Sequence, residues 1–327
     1  MIKYITRRIL GMIPTLLVIS IISFVLIQLP PGDIIESTLQ DLQQQGHRVS
    51  AEQIEALRVM YHLDDPLVVQ YFRWITGFVR GDMGYSIVYQ QSVNRLIGER
   101  VLLTVLIAIS SLLLTWVLAL PIGIYSAVKQ YSPLDYLFTV FAMLGMAVPS
   151  FMLALLVMYG AHQWFGISIG GLFSPEYMDA SWSPARLMDL MKHIWAPAVV
   201  LGVAGTASMV RVMRANLLDE INKPYVIAAR ARGVRPVTLI LKYPVRIAIN
   251  PFISTIGWTL PAIFSGSAIV SVVMDLPTTG PLLLNALMVQ DMYLAGSFIL
   301  ILSTLTVIGT LISDLMLAVV DPRIRHE

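Results

Sequence analysis

About six apolar blocks, each long enough to cross a lipid bilayer, restrict this chain to a helical membrane fold, because a spanning helix needs roughly 20 apolar residues. The blocks cover residues 9–29, 101–128, 136–161, 194–212, 247–274 and 293–320. Charged residues make up only 13% of the chain, against roughly 25% in soluble domains. The sequence therefore predicts an all-α integral membrane protein with about six transmembrane helices.

Among the five blocks after the first, proline lies within four, at Pro121, Pro149, Pro197, Pro251 and Pro261. Such residues are tolerated in membrane helices because neighbouring groups satisfy the backbone hydrogen bonds that proline breaks. We therefore expect several of the helices to be kinked.

The lysines and arginines predict the orientation of the chain, since short loops rich in these residues stay on the cytoplasmic side. With the N-terminus inside, the cytoplasmic segments hold 14 of the 22 basic residues: Lys3, Arg7, Arg8, Lys129, Arg211, Arg214, Lys223, Arg230, Arg232, Arg235, Lys242, Arg246, Arg323 and Arg325. Both termini are thus predicted to be cytoplasmic. Residues 1–29 form the N-terminal end and an uncleaved first span, because no small-residue cleavage pattern follows the apolar run.

Residues 30–100 are predicted to form a small helical excursion outside the cytoplasm. A Ser-x-x-Gln capping box and a hydrophobic staple predict that one helix begins at Ser50. Asp64-Asp65-Pro66 then ends it and starts an amphipathic helix, in which the apolar residues Leu67, Tyr71, Trp74, Ile75 and Phe78 recur at helical spacing. A second outer stretch, residues 170–193, contains Trp182 and Arg186.

Residues that support catalysis are missing from the sequence. There is no cysteine, and the five histidines have neither metal-ligand nor catalytic-triad spacing. There is no Gly-x-x-x-x-Gly-Lys phosphate loop either, so nucleotide binding is expected on another subunit. The net charge of +2 does not favour nucleic acid as a partner. Asp314 is the main ionisable residue within a block, and we interpret it as a packing group rather than a proton relay.

The blocks also contain small hydroxylated residues, which have two interpretations. In most membrane bundles such residues let helices pack closely. Alternatively, some of them line a hydrophilic path, and the candidates for that path are Ser150, Thr259, Ser265 and Ser267.

Residues 218–246 form the most informative segment, between the fourth and fifth blocks. Pro224 is suited to open a short helix and Gly233 to close it. Alanines within that helix allow close approach by another surface, and arginines supply charge. The candidate contact residues are Tyr225, Ala228, Ala229, Arg230, Ala231, Arg232 and Gly233.

This segment resembles the cytoplasmic EAA loop of ATP-binding-cassette (ABC) importer permeases, in the version carried by the dipeptide and oligopeptide permease family. The resemblance covers essentially the whole chain. Besides the Ala228-Ala229-x-x-x-Gly233 spacing, it is carried by Arg7-Arg8, Pro31-Gly32-Asp33, residues 80–86 (RGDMGYS), residues 148–151 (VPSF) and residues 321–325 (DPRIR). Two features depart from the general importer pattern: Ile227 replaces the name-giving glutamate, and residues 243–246 replace the usual closing motif.

The resemblance implies a type I importer permease fold, with residues 101–327 as the permease core and short cytoplasmic coupling helices. It also implies a second homologous permease, two ATPases that bind ATP and magnesium, an external solute-binding protein and the inner membrane of a bacterium or archaeon. The expected cargo is a di- or oligopeptide, with oligosaccharides, opines, glutathione or nickel complexes as alternatives. An ion-coupled carrier or channel is the alternative from another functional class.

Overall fold

The computed structural model describes residues 2–29, 58, 64–86, 88–178 and 180–320, without the side chains of residues 2–5, 7–9, 256–267 and 318–320. Most of the described chain is helical. In chain order the helices and strands are α1 (Ile2–Gln28), α2 (Leu67–Val79), β1 (Tyr85–Ser86), β2 (Gln91–Ser92), α3 (Val93–Val128), α4 (Pro133–Ala147), α5 (Ser150–Phe165), α6 (Pro184–His193), α7 (Trp195–Ile221), α8 (Pro224–Ala231), α9 (Pro236–Lys242), α10 (Pro244–Ala248), α11 (Asn250–Val273), α12 (Thr279–Met288) and α13 (Met292–Val320). A 3-10 turn, Pro175–Tyr177, precedes α6.

Long apolar helices occupy the predicted blocks. In the described part of the chain, four helices are long and apolar enough to cross a membrane, namely α1, α3, α7 and α13, and the pair α4–α5 adds a fifth if it is counted as one span. The block at residues 247–274 corresponds to the 24-residue helix α11. The predicted helical membrane architecture is confirmed, while the count of six spans stays a prediction.

The third predicted block is not one continuous helix. Helices α4 and α5 are bent by 107° at the break between them. Val148 ends α4 in an extended conformation, because the ring of Pro149 disfavours helical backbone at the residue before it. Pro121, by contrast, lies inside α3, which continues through it. The predicted bend is therefore confirmed at Pro149, and kinks at the other prolines stay a prediction.

Contacts divide the chain into two compact units, residues 1–103 with 278–305, and residues 104–277 with 306–327. These units do not follow the predicted segments 1–29, 30–100 and 101–327, which describe membrane topology rather than compactness. The segmentation therefore stays a prediction.

In the first unit, α2 packs through the apolar face that the sequence predicts. Trp74 is buried with Phe24 and Leu300, and Tyr71, Ile75 and Phe78 pack against this cluster. Trp74 also donates a 3.3 Å hydrogen bond from its ring nitrogen to the Ser297 hydroxyl. Leu67 was expected on the same face, but it is exposed. The predicted helix at Ser50 lies outside the described residues.

A short β-hairpin, β1–β2, follows α2 and was not predicted. Its residues 85 and 86 pair antiparallel with residues 92 and 91. Gly84 enters the hairpin with a positive φ of 85°, and a Cβ there would lie 2.4 Å from the ring of Tyr293. Only glycine fits this position, because both the backbone angle and the space exclude a side chain.

In the second unit, α7 is the central helix. Its residues Met213 and Leu217 are buried with Phe252 and Ala248, which lie on α11 and α10. Close approach depends on a small residue of α3, since a Cβ on Gly123 would lie 2.6 Å from Met213. The core of this unit thus includes residues of α7 and of the short helix α10, so α7 packs directly on the segment that contains the short helices.

Candidate functional site

The segment at residues 218–246 folds into a compact group of short helices, α8 to α10. Lys223 is extended and Pro224 opens α8, whose last helical residue is Ala231. Gly233 has a φ of 77°, and its N–H donates a 3.0 Å hydrogen bond to the Arg230 carbonyl. The prediction that proline opens and glycine closes this helix is confirmed.

The inner side of α8 packs on α9. Val226, Ala229 and Leu239 are fully or almost fully buried together, and Tyr225, Val234 and Tyr243 pack around them. The sequence groups Ala229 with the alanines expected to face another surface, but the structure places it in the interior of the segment. Its small side chain allows α8 to approach α9 closely.

The outer side of α8 is open. Ala228, Arg230, Ala231 and Arg232 are exposed, and Ile227 is 54% exposed. Neighbouring α9 adds Val237, which is 72% exposed, and Leu241. This surface, which we call the α8–α9 face, combines small, aliphatic and cationic side chains. Such a mixture is suited to contact with another protein.

An ionic cluster fixes α8 to the end of α7. The Glu220 carboxylate accepts a 2.6 Å hydrogen bond from the Tyr225 hydroxyl and pairs with the Lys223 ammonium group at 2.5 Å. Burial and the bond to Glu220 raise the pKa of the Tyr225 hydroxyl above its ordinary value of 10.0, so the hydroxyl remains a donor at neutral pH. Tyr225 is among the contact residues predicted from the sequence, whereas Glu220 and Lys223 are not, although their Glu-x-x-Lys spacing brings the two together on one turn.

A second ion pair lies further along α7. The Arg214 guanidinium donates to the Asp135 carboxylate of α4 at 3.2 Å. Asp135 is buried, and it also accepts a 2.9 Å hydrogen bond from the backbone N–H of Tyr131. The pair therefore connects α7 to the turn that precedes α4. The sequence showed both charges but not that they meet, since 79 residues separate them.

The structure describes only one of the four candidate path residues. Ser150 is half-buried in the first turn of α5, whereas the side chains of Thr259, Ser265 and Ser267 lie outside the described residues. Other hydroxyl groups in the second unit bond to backbone carbonyls, as Thr115 does with Gly202 at 3.2 Å and Ser313 with Ile253 at 2.9 Å. Those two residues follow the packing interpretation.

Comparison with known proteins matches nearly the whole chain to one family. Residues 119–326 match the family described as the binding-protein-dependent transport system inner membrane component, and residues 1–108 match the N-terminal part of that component. The chain belongs to this permease family. The family resemblance that the sequence suggested is thereby confirmed.

Relatives of similar length support the same assignment. The oligopeptide transport system permease protein AppB of Bacillus subtilis is 33% identical over 100% of both chains. The glutathione transport system permease protein GsiC is 30% identical, again over 100% of both chains, in Salmonella paratyphi A and in Pectobacterium atrosepticum. The similarity therefore runs along the whole of the compared chains.

Membership establishes the general role of the protein. It is an inner-membrane permease subunit of an ABC importer with the type I permease fold, and it works with a solute-binding protein and an ATPase. The family members are transport subunits rather than enzymes.

Proposed function

We propose that this permease imports short peptides and that its α8–α9 face docks on an ATPase subunit. The cargo is inferred from relatives named for the transport of oligopeptides and of glutathione. Glutathione is itself a tripeptide, so the two names share one cargo chemistry: a short chain of amide-linked residues with charged ends.

The observation that carries the docking proposal is the construction of α8. One side of this helix is buried on α9, its first turn is bonded to the end of α7, and its other side is exposed. A helix held in this way moves together with α7. Nucleotide-driven movement of an ATPase would then reach α7 as a largely rigid displacement, which is one of the standard ways of switching between two states.

Within this proposal the complex contains a second homologous permease and two ATPases, which bind ATP and magnesium. The docking residues are Tyr225, Ala228, Ala229, Arg230, Ala231, Arg232 and Gly233, with Tyr225 and Ala229 acting from the inner side of the helix. Ser150, Thr259, Ser265 and Ser267 are the candidates for the path.

Both termini are proposed to be cytoplasmic, which places α8 on the ATPase side of the membrane. The absence of cysteine allows a direct test, because a single introduced cysteine is the only reactive thiol. Exposed Asn222 and exposed Gln91 are suitable positions. In intact cells an impermeant thiol reagent should label Gln91→Cys and leave Asn222→Cys unlabelled. The reverse pattern would contradict the orientation.

The cargo is tested with the complete transporter in liposomes, assembled from this permease and its partner subunits. ATP and magnesium are supplied on the ATPase side, and a labelled tripeptide, glutathione and the free amino acids are compared as cargo. Uptake should require ATP and favour the peptides. Uptake that follows an ion gradient without ATP would contradict the importer mechanism, whereas ATP-dependent uptake of only a sugar or a metal complex would contradict the peptide cargo.

A further inference from the structure

Helix α6 exposes the side that a water-exposed helix normally buries. A surface helix of a soluble protein turns its apolar stripe inward and its charged residues to water. In α6 the charged residues Arg186 and Asp189 are buried together with Leu190, and the other apolar residues Leu187, Met188 and Met191 are exposed. Two features therefore need a physical reason: the burial of charged residues on one side of α6 and the exposure of apolar residues on the other.

The inward charges are held by the chain segment just before the helix. The Arg186 guanidinium lies between the rings of Phe173 and Trp182, at 4.5 and 4.8 Å from their centroids, and donates a 2.9 Å hydrogen bond to the Met178 carbonyl. The Asp189 carboxylate accepts hydrogen bonds from the backbone N–H and the hydroxyl of Ser174, at 2.7 and 2.8 Å. The inward side of α6 is therefore a specific, bonded contact.

The outward side is a narrow apolar stripe. Leu187, Met188 and Met191 are 51%, 62% and 61% exposed, and Met191, which lies four residues after Leu187 and three after Met188, is the helix neighbour of both. No charged residue lies between them on this face, while Lys192 lies beside it. We call Leu187, Met188 and Met191 the α6 stripe.

Exposed aromatic residues surround α6 in the chain. Three of the six tryptophans, Trp164, Trp182 and Trp195, lie within about 30 residues of one another, and all three are exposed. Exposed Phe165 ends the bent pair α4–α5, and Trp195 begins the apolar helix α7. Tryptophan is enriched where a membrane helix meets the lipid head groups. Both ends of the segment that contains α6 are thus attached to apolar helices at positions typical of a membrane surface.

We propose that α6 is an interfacial helix whose stripe is inserted into the boundary between lipid head groups and acyl chains. An apolar face with charged flanks and nearby tryptophan is the composition that binds at this depth. Lys192, beside the stripe, is placed to reach a lipid phosphate, because a long basic side chain extends from the apolar region toward the interface. Helix α6 then contacts lipid through its stripe, and it contacts the preceding chain segment through Arg186 and Asp189 on its opposite side.

The test uses single cysteines labelled with an environment-sensitive fluorophore, in the complete transporter in nanodiscs of phosphatidylethanolamine and phosphatidylglycerol. Leu187→Cys reports on the stripe, and Ala185→Cys is the matched control, because Ala185 is exposed on the same helix but lies two residues before Leu187 and so on a different face. Lipids brominated near the start of the acyl chain should quench the label at Leu187→Cys several-fold more strongly than the label at Ala185→Cys. Iodide in the water should show the opposite preference.

Met191→Cys repeats the measurement on a second stripe residue, and retained solute-stimulated ATP hydrolysis by each labelled complex shows that it is folded. Quenching of both stripe labels by iodide alone would show that the stripe faces water. Protection of both from lipid and iodide, or crosslinking of either to the binding protein or the second permease, would show that protein covers the stripe. Each of these results would overturn the proposal.

Discussion

The Tyr225 hydroxyl donates a 2.6 Å hydrogen bond to the Glu220 carboxylate and thereby fixes the first turn of α8 to the last turn of α7. The Lys223 ammonium group closes the same cluster from the turn between the two helices. Because Glu220 is nearly buried, its bonds to these partners are worth more than they would be in water. This small cluster makes α8 an extension of α7 rather than a loosely attached loop.

Replacing Tyr225 by Phe should loosen that attachment while preserving the packing of the ring. The lost bond to a charged acceptor is worth about 1.5–3 kcal/mol, so α8 should become more mobile while the rest of the fold remains. Purified complexes should keep their ATPase, but solute-stimulated hydrolysis and uptake should fall relative to basal hydrolysis. Glu220→Gln, which can still accept from Tyr225, should have the smaller effect. Unchanged coupling in Tyr225→Phe would show that the bond does not transmit movement.

Ala228 and Ala229 are adjacent residues that test docking and folding separately. Ala228 is exposed on the α8–α9 face, so Ala228→Glu should alter stability by less than about 0.5 kcal/mol and yet reduce ATPase association and uptake. Ala229 is buried with Val226 and Leu239, so Ala229→Glu should place a charge in an apolar interior and unfold the segment. Ala228→Ser is the control. Copurification of a full amount of ATPase with Ala228→Glu would contradict docking at this face.

Gly233 provides a test of whether the left-handed turn that ends α8 is required for transport. A Cβ at this position meets no atom within 4 Å, so the cost of a substitution comes from the φ of 77° alone. Gly233→Val should destabilise the segment by about 1–2 kcal/mol and reduce uptake, whereas Gly233→Asn should be tolerated, because asparagine adopts this conformation readily. Equal uptake by both variants would show that the left-handed turn is not required.

The sequence predicts this permease best where one local pattern determines the result. Pro224 and Gly233 mark the two ends of α8 through backbone conformation, and the apolar spacing in α2 identifies its buried face around Trp74. Each of these patterns depends on residues within one or two helical turns. The structure follows them closely.

Predictions from the sequence are wrong or missing where contacts between distant residues determine the structure. The inward position of Ala229 depends on Leu239 of α9, and the pairing of Asp135 with Arg214 joins helices 79 residues apart. Likewise α3 begins at Val93 rather than near residue 101, because Val93 is buried in the core of the first unit. Apolar periodicity in a single sequence does not specify which distant residues meet.

The pair formed by Asp135 and Arg214 should be energetically coupled. In Arg214→Gln the buried Asp135 carboxylate keeps its hydrogen bond from the Tyr131 N–H but loses its charged partner. This loss should lower the free energy of unfolding by about 1–3 kcal/mol. Adding Asp135→Asn removes the uncompensated charge, so the double variant should be more stable than the sum of the single losses by at least about 0.5 kcal/mol. Denaturation in detergent of the two single variants and the double variant measures this coupling, and additive losses would show that the two groups act independently.

Asp291 should make the stability of the first unit depend on pH. Its carboxylate is buried, accepts from the Ser86 hydroxyl at 2.5 Å and caps α13 by accepting from the Leu294 N–H at 3.0 Å. Burial raises the pKa of this carboxyl above its ordinary value of 3.8, although the two hydrogen bonds act in the opposite direction. The folded protein therefore binds a proton more readily than the unfolded chain does.

The sign of the effect follows from that difference in proton binding. Asp291 contributes stability that is complete below pH 3.8 and is lost as the pH rises through its raised folded value, because ionisation is harder in the folded state. The asparagine in Asp291→Asn does not ionise, but it caps a helix about as well as aspartate and can donate a hydrogen bond to Ser86. As the pH rises over this range, the unfolding temperature of the variant should therefore fall less steeply than that of the unmodified protein. Asp275→Asn is the matched control, since it makes the same replacement at an exposed aspartate. A slope in Asp291→Asn as steep as that of the unmodified protein, measured by thermal unfolding of the complete transporter, would assign the pH dependence to another group.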